Sequence, residues 1–267
     1  MSNHRRQGVQ YSGTRTRKQS HAISASVLSR VRVGFDLLQT ENVAARITFV
    51  EAVLAQHGIG SGCRGLDAGC GTGRYAVELA QRGFEVCGVD NSPELIAVAK
   101  SRINSVREAE FLMGDLLTVS LRRSFDFVLC RGVLNDFITD ASRRNIFQRF
   151  STWLRPAGML IFDVREWAKT VARYAQNPHH WRSVELPNGV LRFHSETRLD
   201  HKTKRMLVHE RFDIEDGEES RSTENDFTMQ PFETIRRNSG FKPLFQEHGY
   251  PLTRFFTDRP PYVCLYG

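Results

Sequence analysis

The sequence predicts an α/β fold: a doubly wound, mainly parallel sheet of seven strands with an inserted antiparallel β meander. Two observations predict it. Short apolar runs alternate with segments of helical periodicity between residues 64 and 163, which is the pattern of parallel strands joined by crossover helices. Between residues 181 and 230 the period becomes two, and polar turn sequences separate the runs. This second pattern is typical of antiparallel hairpins.

The parallel part accounts for most of the elements. Helical spacing predicts two helices between residues 26 and 57, broken near residues 39–41. Further helices are predicted at 73–82, 93–104, 141–154, 167–176 and 232–238. The apolar runs predict strands at 64–68, 85–89, 109–113, 125–130 and 159–163, completed by strands near 242–247 and at 262–266.

The meander has one predicted apolar face. In the run RMLVHERFDI, alternate residues of one face are apolar, and Glu210 interrupts them. The polar turn HKTK precedes this run, and the sequence PNG at Pro187–Gly189 predicts a tight hairpin before it. The apolar members of the face are Met206, Val208, Phe212 and Ile214.

Composition limits the possible compartments and partners. The chain has 267 residues, 40% of them hydrophobic and 25% charged, which is ordinary for a domain with a full core. No apolar run reaches the ~18 residues that a membrane span needs, and we expect no secretory signal. Five cysteines stand far apart without a CxxC pair. They predict reduced thiols in a cytoplasmic protein and no metal site.

The net charge of +7 comes from the N-terminal segment. Residues 1–35 contain seven Arg and Lys residues and no acid, so the rest of the chain has 30 basic and 30 acidic residues. Residues 1–25 are poor in apolar residues, and we predict a disordered basic tail there. This tail is interpreted either as a solvated leader or as an arm for nucleic acid or a membrane surface.

The stretch GLDAGCGTGRY holds the clearest functional signal. Gly69, Gly71 and Gly73 follow a strand that ends near Asp67, and glycine allows both a tight turn and the close approach of a ligand. The spacing is G-x-G-x-G and differs from the G-x-G-x-x-G of dinucleotide sites. A carboxylate at Asp67 would repel a pyrophosphate but suits a positively charged group. The stretch therefore predicts a nucleotide-type cofactor that carries a cation.

These residues resemble the first motif of class I S-adenosylmethionine-dependent methyltransferases, and the chain from 66 to 164 supplies that family's other motifs in order. The resemblance implies the Rossmann-like methyltransferase fold and S-adenosyl-L-methionine as cofactor. It assigns Asp90 to the ribose hydroxyls, Asp115 to the adenine and Arg131 to the neighbourhood of the methionine moiety. The candidate cofactor-binding residues are Asp67, Gly69, Cys70, Gly71, Gly73, Asp90, Asn91, Asp115, Leu116 and Arg131.

Structural alternatives remain for several of these residues. Asp90 could cap a helix, Asp115 could be a surface acid, and Arg131 could offer only its backbone to the cofactor. We interpret Cys70 and Cys130 as small packing residues beside the site and not as nucleophiles.

The sequence indicates the methyl acceptor less clearly than it indicates the cofactor. Transfer of a methyl group from a sulfonium depends on alignment of the reacting atoms more than on acid–base catalysis. The sequence therefore identifies no catalytic residue for it. The candidates for a base are Asp136, just after the fourth strand, and the meander residues His194 and His209. An NPPY-type motif for nucleobase amines is missing, and the matching place reads RGVLNDF.

The meander resembles the β lid of small-molecule methyltransferases. We therefore expect transfer to N or O of a small-molecule acceptor. One alternative is an RNA or protein methyltransferase that uses the basic tail as a docking arm. A second is a non-catalytic, cofactor-binding regulatory partner. The predicted division of the chain is tail 1–25, helices and cofactor-binding core 26–180, lid 181–230 and C-terminal completion of the core sheet 231–267. The sequence predicts no oligomeric state.

Overall fold

The computed structural model describes residue 38 and residues 42–103, 108–217, 219–232, 253–256 and 262–266. Their helices are α1 (Val43–Ala55), α2 (Arg74–Gln81), α3 (Pro93–Arg102), α4 (Asp140–Trp153) and α5 (Trp167–Gln176), and a 3₁₀ turn spans Leu134–Asp136. Their strands are β1 (Arg64–Ala68), β2 (Glu85–Asp90), β3 (Ala109–Met113), β4 (Phe125–Cys130), β5 (Leu154–Val164), β6 (His179–Leu186), β7 (Gly189–Asp200), β8 (Arg205–Asp216), β9 (Glu219–Met229), β10 (Thr253–Phe256) and β11 (Tyr262–Tyr266).

Seven of the strands form one sheet in the order β10-β11-β5-β4-β1-β2-β3. Strands β1 to β5 are parallel to one another, and β10 and β11 add an antiparallel edge. The order reverses between β1 and β4, and ligands bind such sheets at the carboxyl ends of the strands beside this reversal. The predicted fold class is confirmed.

Apolar clusters cover both faces of this sheet. On one face α4 buries aromatic residues such as Phe147 and Phe150 against β4 and β5. On the other face α1, α2 and α3 pack against the same strands, with Ile47, Leu54 and Phe84 almost wholly buried. Because all six residues of β4 are buried, the centre of the sheet is a rigid support for the loops at its carboxyl edge.

The C-terminal elements only partly follow the sequence prediction. β11 lies at the predicted residues, but the strand beside it is Thr253–Phe256, which the sequence analysis did not predict. Four other predictions lie outside the described residues: the strand near 242–247, the helix at 232–238, the first N-terminal helix and the tail 1–25. Of the two helices, only Phe232 and Leu38 are described. β5 begins at Leu154, earlier than predicted, with a register shift against β4.

The inserted meander is a separate antiparallel sheet of four strands in the order β6-β7-β8-β9. One of its faces, called the inner face below, is apolar, and the predicted set on β8 is buried there. The opposite, outer face is polar and exposed. The buried inner-face residues include Leu191, Met206, Val208, Phe212 and Ile214.

Two attachments tie this antiparallel sheet to the rest of the protein. At one end the Gln230 N–H donates to the Asn135 carbonyl at 2.7 Å, and Arg205 Nη2 donates to the Ile138 carbonyl at 3.3 Å. Both acceptors lie at or just after the 3₁₀ turn that follows β4. At the other end Leu38 packs against Leu191 and its inner-face neighbours. The antiparallel sheet is thus anchored at the carboxyl edge of the parallel sheet. Within the described ranges, no helix has the length and apolar composition to cross a membrane.

Candidate active site

The glycine loop joins β1 to α2 in an unusual backbone conformation. Gly69, Gly71 and Gly73 have φ values of 78°, 55° and 76°, which residues with a Cβ adopt at a cost. The N–H groups of Gly69 and Cys70 donate to the Val89 carbonyl at 2.8 and 3.0 Å. The loop is therefore fixed to the end of β2, and all three glycines are required by backbone geometry.

The three glycines differ in what lies beside them. A Cβ on Gly69 would collide with the side chain of Val133, and a Cβ on Gly73 would lie 2.6 Å from Phe111 Cζ. A Cβ on Gly71 would meet no atom within 4 Å among the described residues. Gly69 and Gly73 therefore allow close packing inside the protein, while Gly71 borders open space where a ligand can approach the backbone.

Asp90 ends β2 beside this loop. Its Oδ2 accepts the Gly71 N–H at 2.9 Å, and its Oδ1 accepts the Ser92 N–H at 2.9 Å. The helix cap of α3 is supplied by Ser92, whose Oγ accepts the Leu95 N–H, so Asp90 is not that cap. Each carboxylate oxygen retains a lone pair for another donor. Asp90 can therefore bind two hydroxyls, and the exposed Asn91 follows it directly.

Asp67 lies under the loop and is 3% exposed. Its Oδ2 has no hydrogen-bond partner among the described residues. Burial raises the pKa of Asp67 to about 7; Arg131 opposes the shift and Asp90 adds to it. A buried carboxylate with an unused oxygen is costly unless a donor reaches it. The site therefore fits a ligand that brings a cationic N–H group.

Arg131 follows β4, and its side chain is engaged inside the protein. The guanidinium carbon lies 4.2 Å from the centroid of the Tyr75 ring, and Nε lies 3.4 Å from Asp163 Oδ2. Asp163 Oδ1 also accepts the Gly132 N–H at 2.6 Å. Arg131 and Asp163 thus shape the backbone at the end of β4. Sequence reasoning missed Asp163, although its position near the end of an apolar strand was a usable signal.

Asp115 and Leu116 stand in the loop after β3. Asp115 is exposed, and its Oδ1 accepts the Leu117 N–H at 2.8 Å, while Leu116 is buried in the core. The Gly114 N–H donates to the Asp90 carbonyl at 2.9 Å, which brings this loop beside the end of β2. Asp115 and Leu116 therefore lie close to the other predicted cofactor residues.

The cysteines near the loop are not nucleophiles. Burial holds the pKa of the Cys70 and Cys130 thiols well above the usual range, so both remain protonated at neutral pH. Their side chains are buried among apolar neighbours.

Asp136 lies at the end of the 3₁₀ turn, at the carboxyl edge of the sheet. The side chain is exposed at the surface, yet the adjoining protein desolvates the carboxyl and raises its pKa to about 6, partly offset by Arg165. Its neighbour Asn135, which sequence reasoning missed, is buried and its Oδ1 accepts the Arg165 N–H at 3.0 Å. Asp136 therefore lies at the edge where the sequence analysis expects a candidate base, and its carboxyl is protonated more easily than an ordinary surface carboxyl.

His194 and His209 lie on the outer face of the antiparallel sheet. His194 stacks on Trp181 with ring centroids 3.7 Å apart, and its Nε2 lies 3.2 Å from His179 Nδ1. His209 Nδ1 lies 2.8 Å from Asp226 Oδ1. Because this face is opposite to the apolar inner face, the structure does not bring either histidine to the glycine loop. No group of three metal-ligating side chains is arranged for a metal in the described part of the chain.

The residues around Gly71 fit S-adenosyl-L-methionine. The open space beside the Gly71 backbone can admit a nucleoside. The unused oxygen of Asp67 can accept from a cationic amine, and the spare lone pairs of Asp90 can accept from ribose hydroxyls.

Comparison with known proteins agrees with this assignment. Residues 66–158 match a family described as a methyltransferase domain. A protein of Geobacillus sp. (strain WCH70) is 37% identical over 120 residues, which are 44% of this chain and 48% of that protein. The match thus spans about half of that relative. YqeM of Bacillus subtilis (strain 168) is 26% identical over 221 residues, which are 80% of this chain and 83% of YqeM.

Two solved structures share the fold. The sugar N-methyltransferase KedS8 from Streptoalloteichus sp. superimposes with a TM-score of 0.71 at 18% identity, covering 87% of this chain and 91% of KedS8. S-adenosylmethionine-bound CalS10, an amino pentose methyltransferase from Micromonospora echinaspora, gives 0.67 at 18% identity, with 88% and 95% covered. Residues 66–158 thus contain a methyltransferase domain, and the fold of the chain is similar to that of S-adenosylmethionine-dependent methyltransferases.

Proposed function

We propose that the protein transfers a methyl group to N or O of a small-molecule acceptor. The acceptor binds between the carboxyl edge of the parallel sheet and the inner face of the antiparallel sheet. The observation that carries this proposal is the hydrogen bond from the Gln230 N–H to the Asn135 carbonyl. It attaches the antiparallel sheet directly at the turn after β4, where ligands bind in this class of sheet.

The cofactor supplies an electrophilic methyl group on a sulfonium, and the protein's residues supply alignment. Asp90 positions the ribose through its carboxylate, and Asp67 orients the amino group below the loop. Asp136 accepts a proton at its carboxylate when the acceptor arrives protonated, which its pKa of about 6 allows near neutral pH. The antiparallel sheet excludes water from the acceptor.

The shared fold favours a small acceptor. KedS8 and CalS10, which share the fold over most of this chain, are named for the methylation of sugars. The body of the chain from residue 36 onward has equal numbers of acidic and basic residues, whereas a surface that binds nucleic acid is usually basic. Cys63, Cys70, Cys87 and Cys130 are free thiols, which supports a reaction in the cytoplasm.

The test uses S-adenosylmethionine labelled on its methyl group. The protein is incubated with a crude extract, and the products are separated by size with and without ribonuclease. We expect label in the small-molecule fraction. Label in a ribonuclease-sensitive or a protein fraction would replace this proposal by the RNA or protein methyltransferase alternative. Cofactor binding without any labelled product would instead favour the regulatory alternative.

A further inference from the structure

A row of polar side chains crosses the middle of the apolar inner face. Strands β6 to β9 are in continuous register, so one residue from each strand meets in this row. On β8 the row interrupts an apolar run, and the residues on either side of it, Val208 and Phe212, are buried. The row consists of His180, Ser195, Glu210 and Asn225.

Glu210 is the only acid in this row, and it differs from the acids of the outer face. Its carboxylate makes no hydrogen bond or ion pair with any described residue. On the outer face, by contrast, acids of the same strands have cationic or hydrogen-bonding partners within 3.0 Å. These pairs are Glu196 with Arg198, Glu215 with Arg192, Asp213 with Arg211 and Asp226 with His209.

The surroundings of Glu210 make an unpartnered charge unfavourable. The side chain is half-buried, and burial raises the pKa of the carboxyl. The next row of the inner face contains Phe193 and Phe212, whose ring centroids are 4.9 Å apart. A carboxylate beside such groups has lost part of its hydration, and none of the described residues gives it a counter-ion. A cation that reached it would interact more strongly than in water.

The row lies between the two attachments of the antiparallel sheet. Arg205 and Gln230 mark the end beside the 3₁₀ turn, and Leu191 marks the end against Leu38. Between these ends, His180 and Asn225 are exposed and Glu210 is half-buried. The middle of the inner face is therefore the part that the described residues leave accessible to a ligand.

We propose that Glu210 binds a protonated amine of the methyl acceptor, so that the acceptor is a small molecule bearing a cationic amine. This inference rests on the proposed function, because it assigns the inner face to the acceptor. The apolar members of the two neighbouring rows, such as Phe212 and Phe227, suit a carbon skeleton. Ser195 and Asn225 offer hydrogen bonds to polar substituents of the same molecule. Glu210 is then the specificity-determining residue of the acceptor site.

The test compares a cationic probe with a neutral probe of the same shape. Cyclohexylammonium and cyclohexanol are titrated by calorimetry into the full-length protein saturated with S-adenosylhomocysteine. We expect the ammonium to bind at least tenfold more tightly than the alcohol. Glu210→Gln should remove this difference, because it keeps the shape and loses the charge. Glu215→Gln, a control on the outer face of the same strand, should preserve it.

The outcomes separate this inference from the proposed function. Equal binding of the two probes, no binding of either, or an ammonium preference that survives Glu210→Gln would overturn the role of Glu210. A lower melting temperature of Glu210→Gln with unchanged ammonium binding would show that Glu210 contributes to stability and not to ligand binding. The proposed function is tested independently by the labelled small-molecule product, which does not depend on the charge of the acceptor.

Discussion

The carboxyl edge of the parallel sheet and the inner face of the antiparallel sheet present different parts of the chain to their surroundings. At the edge, the surface is backbone: Gly71 borders open space, and Asp90 fixes the loop through the Gly71 N–H. On the inner face the surface consists of side chains, and Glu210 lies between the buried residues Val208 and Phe212 of its own strand. A backbone surface can bind a cofactor through its shape and its N–H groups, whereas the proposed recognition of an acceptor on the inner face requires individual side chains.

The largest expected effect comes from filling the space beside the glycine loop. In Gly71→Val the new side chain occupies the open space, so we expect cofactor binding to weaken by roughly a hundredfold or more, about 2.7 kcal/mol. Valine at a φ of 55° also strains the backbone. Gly217→Val is the matched control, because Gly217 has a φ of 64° and equally open surroundings at the β8–β9 turn. Calorimetry with wild-type affinity in a folded Gly71→Val protein would show that the loop has only a structural role.

The next effect concerns the acid that fixes this loop. Asp90→Ala removes the acceptors for the ribose and for the Gly71 N–H, and we expect cofactor binding to weaken by ~1.5–3 kcal/mol, about tenfold or more. Glu85→Ala at the exposed start of the same strand is the control. If Asp90→Ala binds S-adenosylmethionine as tightly as Glu85→Ala and the wild type do, Asp90 does not bind the ribose.

The backbone features of the edge could be predicted from the sequence better than the side-chain contacts. The glycines could be predicted because backbone conformations with positive φ restrict the residue type. Asp90 could be predicted because the alternation of strands and helices indicates where the second strand ends. His194 and His209 are candidate bases because their strands belong to the meander, but strand residues alternate between faces and both lie on the outer face. Asn135 and Asp163 were missed because their contacts to Arg165 and Gly132 join residues far apart in the chain.

A third prediction tests whether the edge depends on charge as well as on shape. The pKa of Asp67 is raised in the folded protein from 3.8 to about 7. Between these values the folded state binds more protons than the unfolded state, so the free energy of unfolding of the cofactor-free protein should fall as pH rises. Binding of a cationic amine requires the ionised form, and affinity should rise roughly tenfold from pH 6 to pH 8.

Asp67→Asn is the control for both pH dependences, because it keeps the size of the side chain and does not titrate. The pH dependence of stability is measured by melting temperatures without cofactor, and that of cofactor affinity by calorimetry across the same pH range. Equal pH slopes in wild type and Asp67→Asn would show that Asp67 contributes shape alone at this edge.

The smallest effect is expected from the basic N-terminal segment. If the acceptor is recognised by the inner face, deletion of residues 1–25 should leave the rate of small-molecule methylation within about twofold of the full-length rate at every salt concentration. A docking arm for RNA would behave differently, since each neutralised phosphate adds to the salt dependence of binding. Activity that is lost on deletion, and that falls steeply with salt in the full-length protein, would move acceptor recognition from the inner face to the tail. Unchanged activity would support recognition by the side chains around Glu210, because a segment that carries five of the seven excess charges of the chain is then dispensable.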